Sequence, residues 1–392
     1  MLYETPVLSA GDRAVISEIH GMRQELGGFL RQTRRWQGGL RRTMQARAIR
    51  GSNTIEGYTV SQQDAVAAVD EEESLTADAR TWAEIVAYRR VLTYVINQAT
   101  VPGFRIDTQT LRTIHFMLLE HELVAKSAGA YRTSEIYVRD SRDDRNVYEG
   151  PSPDLVPALM EELAASLSSG GSFDAMVAGA MAHLNLVMIH PFRDGNGRMA
   201  RALQTMVLAR DHVVSPEFSS IEEWLGANTE DYYEVLGFTG QGAWHPERDA
   251  TAWVRFCLRA HHMQAQTVRR RVGELEQIWR RLDELQQELG LPEPSLDAAF
   301  DAYLGVRVTR AGVAKRAEVD TTTATRYLKK LADAGLLVAR GETRGRHYVA
   351  GPALREIRDE ISAARTPIGD PYPELMTQVR AGGVSAPEGT LF

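Results

Sequence analysis

His190-Pro191-Phe192-Arg193-Asp194-Gly195-Asn196-Gly197-Arg198-Met199-Ala200-Arg201 is the stretch from which the rest of the chain can be read. An apolar run, Phe173 to Ile189, reads as a helix that delivers His190, and Leu203, Met206, Val207 and Arg210 continue at helical spacing, predicting a second helix over 198–210. The expected local fold is helix, glycine turn, helix. Glycine reaches positive φ without steric penalty, so Gly195-Asn196-Gly197 can turn backbone N–H groups into a concave nest. At a helix N-terminus such a nest favours phosphate, through free N–H donors and the helix dipole. Arg198 and Arg201 lie three apart, on one helical face, and can close on the same phosphate chain. Asp194 offers a single carboxylate, which suits Mg2+ bound mainly through phosphate oxygens and water. His190 can take a proton from an incoming hydroxyl. Each part alone is commonplace: a histidine after an apolar helix is usually a core residue, and Gly-x-Gly is usually a turn. Together, at fixed spacing, they describe a site for a Mg2+-bound nucleotide polyphosphate with a general base.

The dodecapeptide resembles the signature of Fic-domain enzymes, H-x-F-x-D/E-G-N-G-R-x-x-R, at every specified position. The resemblance, to a bacterial Fic protein, implies a mainly α fold: a Fic helical core with a β-hairpin flap. It implies an adenylyltransferase moving AMP from ATP, with Mg2+, to a Ser, Thr or Tyr hydroxyl of a target protein or of the chain itself. His190 would be the catalytic base and Asp194 the metal ligand, with Gly195, Asn196, Gly197, Arg198 and Arg201 binding phosphates and Phe192 anchoring the loop. Asn228, Tyr232 and Tyr233 are similar to the family's N-x-x-x-Y-Y element, in which Tyr232 and Tyr233 either line the nucleotide or pack. Gly129-Ala130-Tyr131-Arg132-Thr133-Ser134, followed by Ile136 and Val138, is similar to the family's flap, G-x-Y-R-T. Tyr131, Arg132, Thr133, Ile136 and Val138 are therefore candidates for docking a target segment on an edge strand. The chain departs from relatives at Glu149-Gly150-Pro151-Ser152-Pro153, where a Pro-Pro-rich step is common.

Ser52-Asn53-Thr54-Ile55-Glu56-Gly57 reads as a one-turn helix capped by Ser52 and stopped at Gly57, with Glu56 near its end. It is similar to the family's inhibitory motif, S/T-x-x-x-E-G/N, placed before the core as in the class with an N-terminal inhibitory helix. By that resemblance Glu56 pairs with Arg201 and takes the charge partner that the ATP γ-phosphate needs. Alternatives stay open: another nucleotide donor, removal of AMP with Glu56 aligning a water, or a DNA-binding regulator whose Fic body only senses ATP. Fic-fold kinases carry lysine where Gly197 stands, so Gly197 points to AMP transfer.

The chain has 392 residues, 43% hydrophobic and 25% charged, enough for two or three domains and a large core. Its one cysteine, Cys257, forbids an intrachain disulfide and fits a reducing compartment. Met1 to Val15 lacks a signal-peptide pattern, and no apolar run approaches the ~20 residues of a membrane span, so a cytoplasmic protein without membrane contact is expected. Helical periodicity covers residues 12–50, 79–97, 108–119, 155–167, 173–189, 219–236, 250–258 and 260–290. Only Gly129 to Pro153 breaks it, as a β-hairpin around Asp140 to Asp144. Val268, Val272, Leu275, Trp279, Leu282 and Leu289 mark a seam on the last helix, either a short dimeric coiled coil or packing within a monomer.

From Val306 to Tyr348 there are ten Lys/Arg and four Asp/Glu, so in a chain of net charge −7 a basic module joins an acidic body. That module reads as a winged helix-turn-helix: a helix over 313–317, Asp320 capping a second from Thr321 to Ala334, Gly335 stopping it, and a wing across Gly341–Gly345. Thr321, Thr322, Thr323, Thr325 and Arg326 would meet base edges, and Arg340, Arg344 and Arg346 phosphates, if the partner is DNA; such modules also dock proteins. The expected organisation is 1–105, an N-terminal helical region carrying the 52–57 motif; 106–260, the catalytic core; 261–294, a long connecting helix and linker; 295–355, the winged domain; and 356–392, a tail.

Overall fold

The structure, a computed structural model, describes residues 1–31, 34–122, 127–139, 145–168, 173–210, 216–342 and 345–382. Helices make the protein: α1 (Ala10–Leu30), α2 (Gln37–Ile55), α3 (Gln62–Val69), α4 (Ala79–Ala99), α5 (Thr108–Leu119), α6 (Val156–Ser168), α7 (Ala175–Ile189), α8 (Asn196–Ala209), α9 (Pro216–Ser219), α10 (Glu222–Ala227), α11 (Thr229–Gly240), α12 (Thr251–Leu289), α13 (Leu296–Tyr303), α14 (Arg310–Arg316), α15 (Thr321–Asp333), α16 (Pro352–Ala363) and α17 (Leu375–Gly382). Two antiparallel hairpins interrupt them, β1 (Tyr137–Arg139) with β2 (Asn146–Glu149) and β3 (Leu337–Arg340) with β4 (His347–Ala350). Among the described residues no helix is long and apolar enough to cross a membrane.

The chain forms two compact units, Met1–Arg31 with Met44–Gln266 and Gly369–Phe392, and Gln32–Thr43 with Thr267–Ile368. The first unit is built around α7. Asp174 caps it through the Met176 N–H, and residues on every side, among them Val177, Leu184, Leu186 and Ile189, are buried. A helix apolar all round belongs inside a helical layer. Trp253 on α12 is fully buried against it and donates its indole N–H to the Ala180 carbonyl at 2.7 Å.

Several expectations change. The 52–57 stretch is not a separate helix: Ser52 lies in the last turn of the 19-residue α2 and caps nothing. No proline or glycine pair interrupts Gln45 to Arg50, so a helix begun upstream runs on until Gly57 adopts φ +84. The 250–258 and 260–290 segments are one 39-residue helix, α12, and the 219–236 segment splits at Asn228. On α12, Val268, Val272, Leu275, Trp279 and Leu282 are buried, with Trp279 against Phe300 at 5.0 Å between centroids, as the packing alternative has it, whereas Leu289 is 50% exposed. The 356–392 stretch contains the end of α16 and all of α17.

In the second unit Thr309 caps α14 and Asp320 caps α15 through the Thr322 and Thr323 N–H groups. Leu328 and Leu331 face inward, Gly335 turns the chain at φ +71, and β3 pairs with β4. Helix α14 starts three residues before the expected Val313, because the Thr309 cap lies further upstream.

Candidate active site

The loop between α7 and α8 carries the site. His190 closes α7 in the left-handed region, φ 48, with its N–H on the Leu186 carbonyl. Its Nδ1 lies 3.1 Å from the Val187 carbonyl. A carbonyl only accepts, so Nδ1 carries the proton and Nε2 keeps its lone pair. Burial pushes the imidazole down to about 4, partly offset by the Val187 hydrogen bond, so the ring is neutral at pH 7.

Asn196 is consumed by the loop itself: its Oδ1 accepts from Phe192 N–H at 3.0 Å and its Nδ2 donates to the Phe192 carbonyl at 2.9 Å. It therefore offers a ligand only its backbone. Gly195 alone adopts positive φ, +73, and no side chain caps α8, which leaves its first amides for an anion. Gly197 is helical, and its missing Cβ matters for another reason: a Cβ there would sit 2.5 Å from Glu56 Oε1. Asp194 Oδ1 accepts from the Gly195 N–H at 2.6 Å.

Glu56 and Arg201 come together as the spacing alone could not show. Arg201 is 1% exposed; its Nη2 lies 2.5 Å from Glu56 Oε1 and 3.0 Å from the Ser52 carbonyl, while Nε donates to Ser52 Oγ at 2.7 Å. Burial alone would lower the guanidinium pKa, but the Glu56 carboxylate outweighs it and holds Arg201 charged. Its Nη1 is buried with no hydrogen-bond partner among the described residues. Gly57 follows at the turn that ends α2. Two contacts fix this end of α2. Tyr233 donates its hydroxyl to the Ile55 carbonyl at 3.0 Å, and Gly51 packs so closely that a Cβ would meet the Glu222 carbonyl oxygen at 2.2 Å.

Arg198 is arranged differently. It is buried and paired with Glu84 of α4, whose Oε1 also accepts from the Tyr58 hydroxyl at 2.8 Å. It does not line the cavity that the other residues enclose. That cavity, about 560 Å³, is lined by His190, Asp194, Gly195, Asn196, Gly197, Arg201 and Glu56 and by the rings of Tyr232 and Tyr233. Both tyrosine hydroxyls are engaged, Tyr232 with His183 Nε2 at 2.9 Å and Tyr233 with Ile55, so only their rings face a ligand.

The flap residues divide. Ile136 and Val138 line the cavity, and β1 has no strand partner on its outer edge among the described residues. Thr133 is exposed and outside the lining. Tyr131 and Arg132 lie outside the cavity lining. Tyr131 packs against Phe192 at 5.5 Å. Arg132 is 3% exposed and donates to the carbonyls of His190, Ser134 and Pro151, so it braces the loop at His190. The turn at Asp140 to Asp144 lies outside the described residues.

In the second unit Thr321, Thr322, Thr325, Arg326, Arg340 and Arg346 are exposed, whereas Thr323 is half-buried and hydrogen-bonded to Asp320. Arg344 lies outside the described residues. Sequence reading missed Glu84, Tyr58 and His115. The only available signal was a titratable residue at a core position of an amphipathic helix, as His115 is among Leu111, Ile114 and Leu118.

Residues 105–208 match the family described as Fic/DOC and form a Fic/DOC domain. The chain is similar to protein adenylyltransferase fic-1 of Caenorhabditis elegans, 24% identical over 260 residues that cover 64% of this chain and 49% of that protein. Protein adenylyltransferase Fic of Nematostella vectensis is 27% identical over 211 residues, 53% of this chain and 45% of its own. The chain thus spans about half the length of the curated relatives it matches. Among solved structures, a Fic family protein from Desulfovibrio desulfuricans superposes with a TM-score of 0.56 at 22% identity, covering 89% of this chain and 98% of that one. Fic-1 of C. elegans superposes at 0.52 and 22%, covering 68% and 73%. These likenesses confirm the mainly helical Fic fold.

Proposed function

We propose that this protein is an adenylyltransferase that moves AMP from ATP to a hydroxyl of a protein, and that Glu56 holds it off in the resting state. The reading rests above all on one observation: Arg201, buried on the floor of a nucleotide-sized cavity, has its charge taken by Glu56. The curated relatives bearing the adenylyltransferase name support the reaction class.

In this reading the uncapped start of α8 and the Gly195 and Gly197 backbone hold the polyphosphate, and Arg201 takes the γ-phosphate once Glu56 leaves. Arg198 would reach the β-phosphate only by leaving Glu84. Asp194, a single carboxylate lining the cavity beside that anion cradle, fits Mg2+ held largely by phosphate oxygens, and bound Mg2+ would neutralise polyphosphate charge. The acceptor segment would add to the free edge of β1, with Ile136 and Val138 beneath it. His190 Nε2 takes the proton of the acceptor hydroxyl as its oxygen bonds the α-phosphorus; the bond from that phosphorus to the bridging oxygen breaks and pyrophosphate leaves. Mass spectrometry of proteins exposed to the Glu56→Gly variant and a mixture of nucleotides tests this. One AMP on a hydroxyl side chain is expected; a phosphate, or an adduct from UTP, GTP or CDP-choline, would overturn it.

We further read the second unit as a winged helix-turn-helix that meets DNA through α15 and the β3–β4 wing. The support is the basic balance of residues 306–348 and the exposure of Arg326 and Arg346. Arg326→Ala and Arg346→Ala should each lower the slope of log affinity against log salt by about one on duplex DNA. Binding with no salt dependence would rule this reading out.

A further inference from the structure

His115 lies on the buried face of α5, 1% exposed, and both ring nitrogens are used. Gly129 N–H donates to Nδ1 at 2.8 Å, and Nε2 stands 2.9 Å from the backbone carbonyl of Asp194. An N–H only donates and a carbonyl only accepts. One neutral tautomer, with the proton on Nε2, satisfies both. A proton on Nδ1 would set two N–H groups against each other.

The ring is also fixed in its plane. It stacks on Phe192 with 3.6 Å between centroids and 5° between planes. One turn earlier on α5, Arg112 Nε donates to the Gly129 carbonyl at 2.7 Å, so the peptides on both sides of Gly129 are tied to α5. Gly129 sits at φ +72, and a Cβ there would approach the Arg112 carbonyl oxygen to 2.9 Å, so the approach needs glycine. Gly129 is the root of the flap, and Asp194 precedes the left-handed Gly195 that starts α8. One imidazole therefore bridges the segment that carries the acceptor-binding strand and the loop that carries the phosphate and metal groups.

We propose that His115 is a positioning residue that holds the anion loop and the flap root in register. The inference rests on the adenylyl-transfer reading of the site. A generic core residue would stack on Phe192 without needing two backbone partners of opposite hydrogen-bond sense.

The two arms can be separated in the full-length Glu56→Gly protein. An asparagine at this position places an acceptor near the Nδ1 site and keeps the Gly129 arm. A glutamine places a donor near the Nε2 site and keeps the Asp194 arm. His115→Phe keeps the stack and loses both. Calorimetry with ATP and Mg2+ reads the loop, and hydrogen exchange of peptides over residues 129–139 reads the flap root. His115→Asn should weaken Mg2+-ATP binding about tenfold, the scale of losing an outer-shell partner, and leave flap exchange unchanged. His115→Gln should do the reverse, and His115→Phe should do both. Variants that keep both properties, or lose both in equal proportion whichever nitrogen is replaced, overturn the proposal. Failure of the underlying reading shows separately: the parent variant binds Mg2+-ATP and transfers no AMP, while the exchange pattern still decides the role of His115.

Discussion

Glu56→Gly should make the protein faster and less stable at once. Glu56 Oε1 stands 2.5 Å from Arg201 Nη2, with Arg201 1% and Glu56 13% exposed. A hydrogen bond with a charged partner is worth about 1.5–3 kcal/mol net, and each ~1.4 kcal/mol is a factor of ten, so displacing Glu56 costs an incoming γ-phosphate roughly 10- to 150-fold. Removing the carboxylate should raise the initial rate of protein labelling from ATP tagged at the α-phosphate by about that factor. Ser52 still holds Nε and Nη2, so the arginine stays in place to receive the phosphate. The resting protein meanwhile loses the carboxylate bonded to the buried Arg201 guanidinium. Its Tm should fall in the absence of nucleotide and recover on adding Mg2+-ATP, which binds only the folded state. Glu56→Gln, which keeps an acceptor without the charge, should lie between the two. Equal labelling rates for wild type and Glu56→Gly, measured at the same ATP concentration, would show that Glu56 does not restrain the site.

Three further outcomes follow from the same geometry. His190→Ala should cut labelling by at least ~100-fold while ATP affinity stays within a few-fold; because His190 titrates near 4, kcat of the Glu56→Gly protein should stay flat from about pH 8 to 5 and fall below that as the base protonates. His115, His183 and His190 sit at about 4, 3 and 4, below the ordinary 6.5, so the unfolded chain binds more protons below pH 6.5. Stability is then complete above that pH and is lost as pH falls toward 4, at up to ~4 kcal/mol per pH unit, which urea titrations between pH 7 and 4.5 would measure. Gly51→Ala would put a Cβ 2.2 Å from a backbone oxygen that cannot yield, so the end of α2 must shift. A cost of about 1–3 kcal/mol is expected, with labelling above wild type and below Glu56→Gly, and unchanged labelling would show that α2 does not hold Glu56 in place.

The site was legible in the sequence where its parts are close along the chain. Residues 190–201 form one helix–turn–helix, so backbone rules alone place His190 at the end of α7 and the glycines at the start of α8. The pairing of Glu56 with Arg201 spans 145 residues and came from resemblance, not from any local rule. Where local rules competed with longer-range continuity they lost: Ser52 looks like a cap, but α2 was already running when it arrived. Arg132 was a docking candidate only through the resemblance of Gly129 to Ser134 to the flap motif. Three carbonyls around His190 claim it instead. Glu84 and His115 belong to no motif. Each is a polar group on a buried helix face, and its partner becomes visible only when α4 and α5 are brought against α8.

Arg201, on the proposed reading, is contested between Glu56 and the γ-phosphate. Comparing the affinities of ATP and ADP by calorimetry in wild type and Glu56→Gly tests it most directly, because ADP lacks the disputed group. Glu56→Gly should tighten ATP by about tenfold or more and leave ADP nearly unchanged. If the substitution tightens both alike, or neither, Glu56 does not act through the γ-phosphate contact of Arg201.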